Sequence, residues 1–385
     1  MKKVLILDAH TRAALASIRS LGKKYITIDC ASEKDFPIGF FSKYCNRRVA
    51  CHDPRSHPEI FVKELINILE KDNYECVIPN STPSAFVLAK YYKTLSEYTH
   101  VASPNFEVFS QAYDKKSVIE KAEELGIACP KTYDFEVLKN DTHCLNRWVI
   151  KPRMLHGSGI IICDSIKDLC EYYKKMNEAF GPCYIQEFIP NGGELGVYTL
   201  LNNKSELRAV TLQRRIRSIS PYGGISTFRE TIKYDSRLVN ISLTLLQSIH
   251  WVGPAMVEFR IDANDNIPKF IEMNPRFWGS LQLSINAGVD FPYLLYKMAT
   301  EGDIKSQLTY RENVRCRWLF GDITNFLLTP NKIKNLYDFL KINTNYDIES
   351  LDDPWPMIVN PLMILRYSPK RDKRTIKTIA SIYHR

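Results

Sequence analysis

The sequence predicts a protein of mixed α/β and α+β class, in which a parallel-sheet region precedes a region of antiparallel strands. Over the first hundred residues, short apolar runs alternate with helical patterns, and strands separated by helices form parallel sheets that are covered on both faces. From about residue 185 onward, alternating segments are separated by turn residues, as in antiparallel sheets. The chain has 385 residues and 45% hydrophobic content, which is enough for two or three packed domains.

The first region, residues 1–112, is predicted to be an α/β domain. Its expected elements are a strand over 4–7, a helix over 13–21, a strand over 25–28, a helix over 60–69 and a strand over 76–79. No GxGxxG motif follows the first strand, so we assign no dinucleotide site to this region. The apolar run near the start ends at Asp8, which favours a buried strand over a secretory signal.

Residues 113–184 are expected to form a small α+β unit, residues 185–305 a larger antiparallel unit, and residues 306–385 a C-terminal extension. The expected elements are a helix over 114–125, strands over 148–152 and 159–163, a helix over 166–176, strands over 184–189, 197–201, 207–212, 255–262 and 268–274, and a helix over 281–298. Asp114 is expected to cap the N-terminus of the first of these helices.

Composition and charge argue against several classes of protein. The ten cysteines form no CxxC pair and no zinc-site spacing, which is typical of reduced thiols in a cytoplasmic protein. No apolar stretch reaches the ~18 to 20 residues that cross a bilayer, so no transmembrane segment is expected. The net charge of +9 is concentrated in stretches such as 366–377, where a solvated basic tail is favoured over nucleic-acid or membrane-surface binding.

Two acids within apolar strands are the most informative feature. Glu258 and Glu272 lie on neighbouring predicted strands, and Asn274 is on the same face as Glu272 because side chains alternate along a strand. Ionised carboxylates inside a sheet are costly unless a cation compensates them. Their oxygen ligands favour Mg²⁺ or Mn²⁺ over zinc. The alternative is an internal ion pair of each glutamate with Arg or Lys, and the metal site is favoured over it.

Candidate phosphate-binding cations precede and follow these acids. Arg276, at the end of the second strand, could hold a carboxylate or a phosphate through its planar fork; the alternative is a surface arginine packed on Trp278. Lys151 ends an apolar strand, where its ammonium group needs a partner such as phosphate. The turn at 155–160 offers backbone N–H groups to phosphate oxygens, or is only a hairpin. Lys115 starts a helix, and by itself could equally be an exposed lysine.

An arginine-rich segment, residues 213–229, is predicted to be a loop between strands. Arg215 and Arg229 could clamp an acidic substrate or the γ-phosphate as the loop closes over the site. An exposed basic loop with no such role is an equally good interpretation.

Together these features resemble the ATP-grasp superfamily. The matching features, in the order found in that family, are Lys115 at a helix start, the strand with Lys151, a small-residue turn, QEFI followed by Glu194, then Glu258 and EMNPR at 272–276. The stretch 272–302 is similar to the carbamoyl-phosphate-synthetase-like branch, which includes stand-alone carboxylate-amine ligases. The resemblance implies an ATP-grasp fold with a Rossmann-like pre-ATP domain at the N-terminus.

The resemblance also implies a role for each matching residue. ATP would be held by Lys115 and Lys151 at the phosphates, and by His156, Gly157, Ser158 and Gly159 as a phosphate lid. Gln186 would also bind the cofactor, the backbone of Glu187, Phe188 and Ile189 would face the adenine, and Glu194 would bind the ribose. Mg²⁺ or Mn²⁺ would be held by Glu258, Glu272 and Asn274. Arg276 and Lys151 would be catalytic, and the substrates would contact Arg215, Arg229, Arg276, Gly279 and Ser280.

The implied activity is ATP-dependent activation of a carboxylate as an acyl phosphate for attack by an amine. The alternatives are a bicarbonate-dependent carboxylase or carbamoyl-phosphate-type enzyme, and an ATP-binding protein without catalytic activity. The sequence contains no amidotransferase or biotin-carrier segment, which argues against complete carbamoyl-phosphate synthesis or biotin carboxylation. The expected partners are small-molecule substrates and no nucleic acid, and a homo-oligomer is compatible with the sequence.

Overall fold

The computed structural model describes residues 2–139, 147–154, 159–220, 223–328, 336, 339 and 344–367. Within these residues the strands form three sheets, of five, four and seven strands. None of the described helices combines the length and apolar character that a membrane crossing requires. The described cysteines are free thiols, as expected from their spacing; Cys144 lies outside the described residues.

The five-stranded sheet is parallel and has the strand order β3-β2-β1-β4-β5. Its strands are β1 (Lys3–Ile6), β2 (Thr27–Ser32), β3 (Cys45–Ala50), β4 (Cys76–Ile78) and β5 (His100–Val101). Its helices are α1 (Arg12–Gly22), α2 (Pro58–Lys71), α3 (Thr82–Lys90), α4 (Tyr92–Leu95) and α5 (Phe106–Tyr113). The strand order reverses between β1 and β4, and open α/β sheets bind ligands outside the carboxyl ends of the strands at such a switch point.

The four-stranded sheet is antiparallel, with the order β6-β9-β7-β8. Its strands are β6 (Thr132–Tyr133), β7 (Trp148–Pro152), β8 (Ile161–Cys163) and β9 (Cys183–Glu187), and the associated helices are α6 (Lys115–Glu124), α7 (Phe135–Leu138) and α8 (Ile166–Phe180). The side chain of Asp114 accepts hydrogen bonds from the N–H groups of Lys116 and Ser117, so it caps α6 as its position predicted.

The seven-stranded sheet has the order β14-β13-β10-β11-β12-β15-β16 and is antiparallel except for its last pair. Its strands are β10 (Asn191–Leu201), β11 (Leu207–Ser220), β12 (Gly223–Thr231), β13 (Gly253–Asp262), β14 (Pro268–Asn274), β15 (Arg315–Arg317) and β16 (Asn345–Tyr346). The remaining helices are α9 (Ser236–Ser248), α10 (Leu281–Asn286), α11 (Phe291–Glu301), α12 (Leu319–Leu328) and α13 (Trp355–Tyr367). Strands β15 and β16 show that residues beyond 305 contribute to this sheet.

Two expectations about this part of the chain are wrong. The helix expected over 281–298 is two helices, α10 and α11, because Gly288 has a φ of 104° and Asp290 starts a new helix by capping it. The arginine-rich segment expected to be a loop lies mostly within β11 and β12, which extend well beyond the short alternating run that the sequence shows.

The hydrophobic core joins the N-terminal sheet to the large sheet. One cluster of buried residues contains Ile6 of β1, Tyr198 of β10 and Trp278, which follows β14. The opposite face of the large sheet packs against α9 and buries Trp251. The carboxyl ends of the N-terminal strands therefore lie close to the face of β10, β13 and β14 that carries Glu258 and Glu272.

Asp353, in the C-terminal region, is bonded to residues of the N-terminal domain. Asp353 is fully buried and accepts hydrogen bonds from Arg19 Nε at 2.9 Å, Ser42 Oγ at 2.8 Å and the Lys43 N–H at 2.8 Å. Removing one partner of a buried ion pair leaves the other charge uncompensated. The substitution Asp353→Asn is therefore expected to lower the free energy of unfolding by about 3 kcal/mol, measured by urea denaturation.

The neighbouring Asp352 provides a matched control. Its side chain is 47% exposed, where it pairs with Lys43 and Lys23 at the surface, and such pairs contribute little to stability. We expect Asp352→Asn to unfold at nearly the wild-type urea concentration. An equal loss of stability in the two variants would contradict the assignment of Asp353 as a buried anchor.

Candidate nucleotide and metal site

The two acids of the predicted metal site face each other on adjacent strands. Glu258 of β13 is directly opposite Glu272 of β14. Asn274 lies two residues further along β14, and its Nδ2 donates a hydrogen bond to Glu272 Oε1 at 2.9 Å. The structure therefore brings the three predicted metal ligands to one face of the sheet.

Each acid also contacts one cation, so the ion pairs of the alternative interpretation are present. Lys115 Nζ lies 2.7 Å from Glu272 Oε2, and Arg215 Nη2 lies 3.1 Å from Glu258 Oε1. Burial raises the pKa of Glu258, an effect that Arg215 opposes and Glu272 reinforces. Burial also acts to raise the pKa of Glu272, but the charge and hydrogen bond of Lys115 outweigh it and lower that pKa. Glu258 is thus the less well compensated carboxylate.

The donor set suits a hard divalent cation that is shared with phosphates. In the described part of the chain, no group of three or more His, Cys, Asp and Glu side chains is arranged to hold a metal. Mg²⁺ bound with a nucleotide needs only one or two carboxylates, because phosphates and water supply its other ligands. Glu258, Glu272 and the amide oxygen of Asn274 fit that requirement, and the weakly compensated charge of Glu258 favours a further cation beside it.

A row of alternating charges continues from Glu258 across the sheet. Arg215 also contacts Glu194, with Nη1 at 2.8 Å from Oε2, and Arg260 Nη2 donates to Glu194 Oε1 at 2.5 Å. Both oxygens of Glu194 therefore have cationic partners, and its proposed contact with ribose stays a prediction. Arg260 was not predicted as a site residue, although its position two residues after Glu258 indicates the same face of β13.

Lys151 lies at the centre of the small sheet with its ammonium group buried. Its Nζ donates a hydrogen bond to Gln186 Oε1 at 2.7 Å, and the side chain is 9% exposed. Burial lowers the pKa of Lys151 to about 8, which the charge of Glu272 opposes and that of Lys115 reinforces. Gln186, the acceptor of this hydrogen bond, is fully buried. In this structure Gln186 orients the lysine, and direct contact of Gln186 with a nucleotide stays a prediction.

The lowered pKa of Lys151 predicts how nucleotide binding depends on pH. The ammonium form binds phosphate, and the free protein loses this form as the pH rises through about 8. Above that pH, binding must take up a proton, so the dissociation constant for a Mg²⁺ complex of a nonhydrolysable ATP analogue should rise up to about tenfold per pH unit. Calorimetric titration between pH 7 and 9.5 measures this change.

Lys151→Met is the control for this titration. It should bind the analogue weakly at every pH, and its affinity should lack the decline above pH 8. An equal pH dependence in the variant and the wild type would assign the proton to another group.

The strand end predicted to face adenine is partly occupied by backbone pairing. The N–H of Glu187 donates to the Lys131 carbonyl at 2.8 Å, and the N–H of Phe188 donates to the Arg147 carbonyl at 3.0 Å. For the buried Ile189, no hydrogen bond from its N–H to any other described residue is present. Of the three residues, Ile189 thus has the N–H group that is available to an adenine edge.

The predicted phosphate lid falls largely outside the described residues. His156, Gly157 and Ser158 are not among them. Gly159 is buried, and a Cβ at this position would lie 3.3 Å from Pro152 Cγ and 3.4 Å from Phe180. A side chain at position 159 would therefore pack tightly against Pro152, and the contact of Gly159 with phosphate stays a prediction.

Arg276 is held rigidly between the large sheet and the N-terminal domain. Its Nη2 donates to Asn274 Oδ1 at 3.2 Å, and its Nε donates to Thr82 Oγ1 at 2.9 Å. Thr82 begins α3 directly after the switch point of the N-terminal sheet. The alternative interpretation of Arg276 as a surface arginine packed on Trp278 is wrong, because its three nitrogens have partners at the junction of the two domains and Trp278 is fully buried.

The other residues predicted to bind substrate differ in their burial and in their partners. Arg229 is 2% exposed and forms a buried ion pair with Asp347, so it is not part of a closing loop and is not free in this state. Ser280 is buried, and its Oγ donates to Gln213 Oε1 at 2.9 Å. Gly279, directly before Ser280 in the chain, is exposed. No sequence pattern marks Asp347 or Thr82, because each contacts a predicted site residue, Arg229 or Arg276, only in the folded chain.

The chain is similar to known proteins in part of its sequence and in its fold. Residues 179–321 match the family model described as ATP-grasp in the biosynthetic pathway with Ter operon. No curated protein matches the sequence. A biotin carboxylase from Campylobacter jejuni, solved as a β-γ-ATP complex, is similar with a TM-score of 0.67 and 18% identity, covering 82% of this chain and 74% of that one.

Two other solved structures have a similar fold. The biotin carboxylase domain of Hydrogenobacter thermophilus 2-oxoglutarate carboxylase, a dimer solved with MgADP, ADP and bicarbonate, has a TM-score of 0.66 and 17% identity, covering 82% of this chain and 73% of that one. An L-amino acid ligase from Bacillus licheniformis has a TM-score of 0.61 and 18% identity, with coverage of 80% and 78%. The predicted ATP-grasp fold is therefore confirmed, and residues 179–321 of the chain match an ATP-grasp family model.

Proposed function

We propose that the protein is an ATP-dependent ligase that activates a carboxylate as an acyl phosphate and joins it to an amine. The observation that carries this proposal is the meeting of Glu258, Glu272 and Asn274 on one face of adjacent strands, with Lys115 bonded to one acid and Arg276 bonded to the amide. Acids for a divalent ion and cations for phosphate are thereby gathered at one place.

The reaction has two steps, and neither requires a protein nucleophile. A carboxylate oxygen of the substrate attacks the γ-phosphorus of ATP and ADP leaves; the amine nitrogen then attacks the acyl carbon, phosphate leaves, and the amine loses a proton. Phosphoryl transfer depends mainly on positioning and charge neutralisation. Lys115 and Lys151 would bind the phosphates, and Arg276 would stabilise charge on the acyl phosphate and on the tetrahedral species that follows.

A divalent cation would be held by Glu258, Glu272 and Asn274. When bound, Mg²⁺ neutralises charge on the transferring phosphoryl group. The donor set supports Mg²⁺ as the resident ion, and the MgADP in the structurally similar carboxylase domain supports the same pairing of metal and nucleotide.

The fold is shared by an amino acid ligase and by carboxylases, so the second substrate distinguishes the two candidate reactions. ADP release should be measured with Mg-ATP and pairs of amino acids, with bicarbonate alone, and with no added acid. Release that needs both an organic acid and an amine supports the ligase. Release stimulated by bicarbonate alone supports a carboxylase, and tight nucleotide binding without turnover in any arm contradicts both enzymatic proposals.

A further inference from the structure

A second charged cluster lies where three parts of the chain meet. Arg12 is the first residue of α1, which follows β1 of the N-terminal sheet; Arg229 is on β12 of the large sheet; and Asp347 directly follows β16. Asp347 joins the two arginines. Its Oδ2 accepts a hydrogen bond from Arg12 Nη1 at 2.7 Å, and its Oδ1 accepts one from Arg229 Nη2.

The cluster holds more positive than negative charge. Asp347 and Arg229 are almost fully buried, and among the described residues Asp347 is the carboxylate that contacts either arginine. Burial raises the pKa of the Cys316 thiol beside Asp347 well above its ordinary value, so this thiol stays neutral. Two guanidinium groups therefore share one carboxylate. An uncompensated charge in a desolvated position is costly, and an added anion would relieve that cost.

One edge of Arg12 is available to such an anion. Its Nη1 is bonded to Asp347, and its plane lies over the ring of Trp318, with Cζ 4.4 Å from the ring centroid. Within the described part of the chain, neither its Nε nor its Nη2 has a hydrogen-bond partner. The Nε and Nη2 atoms point two N–H groups in parallel, and this arrangement matches the two oxygens of a carboxylate.

The free edge lies beside the exposed Gly279. A Cβ at Gly279 would stand 2.8 Å from Arg12 Nη2 and 3.4 Å from Cζ, so glycine permits the guanidinium to approach the backbone there. Gly279 is three residues after Arg276, whose Nη2 is bonded to the metal-site amide of Asn274. The free edge of Arg12 thus borders the exposed backbone that directly follows Arg276 and the buried Phe277 and Trp278 in the chain.

We propose that the Nε and Nη2 edge of Arg12 binds a carboxylate of a reactant other than the carboxylate being activated, with Asp347 and Trp318 holding the guanidinium in place. This inference rests on the ligase function proposed above. It identifies the substrate class as reactants with a second carboxylate. That group belongs either to a dicarboxylic acid that is activated or to an amino acid that serves as the amine.

The test uses thermal unfolding of the full chain with defined probes. Wild type and Arg12→Lys are titrated with glutarate, alanine and butyrate, each with and without the Mg²⁺ complex of a nonhydrolysable ATP analogue. Lysine keeps the charge beside Asp347 but lacks the planar edge. Stabilisation of the wild type by glutarate identifies the activated acid as the source of the second carboxylate, and stabilisation by alanine identifies the amine. In either case we expect Arg12→Lys to bind the probe about tenfold or more weakly.

Controls separate this inference from the proposed function. Arg47→Lys alters an arginine on β3 that pairs with Asp29 and Asp72, and it should respond to the probes as the wild type does. The ATP analogue should stabilise wild type and Arg12→Lys equally. Failure of the analogue to stabilise the wild type counts against the nucleotide site itself. If the analogue binds but no probe stabilises the wild type more than Arg12→Lys, the assignment of Arg12 is overturned.

Discussion

Replacing Glu272 by glutamine is expected to lower kcat for ADP release by about 10³-fold or more. Glu272 accepts from both Lys115 and Asn274, and it faces Glu258 across the strand pair. Glutamine keeps the shape of the side chain but removes the charge that would hold a divalent ion and orient Lys115. The measurement is coupled ADP release at saturating ATP as Mg²⁺ is varied, and the variant should also need much more Mg²⁺ for half-maximal rate.

The matched control is Glu206→Gln, which removes a half-exposed glutamate that pairs with Arg208 elsewhere on the large sheet. It should leave both kcat and the Mg²⁺ requirement near their wild-type values. The alternative for Glu272 is a purely structural ion pair with Lys115. That alternative predicts a loss of thermal stability with a normal Mg²⁺ requirement, and such a result would remove Glu272 from the metal site.

The local features of the site were predictable because they follow from alternation along single strands. The strand Trp148–Pro152 was predicted with its observed bounds, and the side-by-side placement of Glu258 and Glu272 follows from two apolar strands joined by a short turn. The cap of α6 by Asp114 was also predicted from residue type and position. In each case the interaction connects residues that are near in sequence or on neighbouring strands of a hairpin.

The contacts that complete the site connect residues far apart in the chain, and sequence patterns do not encode them. Asp347 meets Arg12 across 335 positions, and Arg276 meets Thr82 across 194. In the arginine-rich segment, three arginines beside a Gly-Gly turn predict a loop. In the structure its arginines are held within strands by acids on β10, β13 and the C-terminal segment. Burial of a charged residue depends on such a partner, which is identifiable only once the sheet order is known.

The second large effect is expected at Arg276. Arg276→Lys should lower kcat for ADP release by about 10²-fold or more while affinity for the ATP analogue stays nearly unchanged. The reason is geometric. The guanidinium is fixed by Thr82 on one side and Asn274 on the other, so its charge is already aimed when the acyl phosphate forms. Lysine keeps a positive charge, but it lacks the planar set of N–H groups with which arginine bonds Thr82 and Asn274 at the same time.

Two further variants show whether Arg276 acts through this fixed geometry. Thr82→Val removes the acceptor for Arg276 Nε with little change of shape, and it should lower kcat about tenfold, less than Arg276→Lys, with no change in nucleotide affinity. Arg237→Lys changes an exposed arginine at the start of α9 and should be neutral. If Arg276→Lys weakens nucleotide binding as much as it lowers kcat, the arginine contributes to binding of ATP in the ground state. Its role in stabilising the transferring group would then be excluded, because an interaction made only in the transition state leaves nucleotide affinity intact.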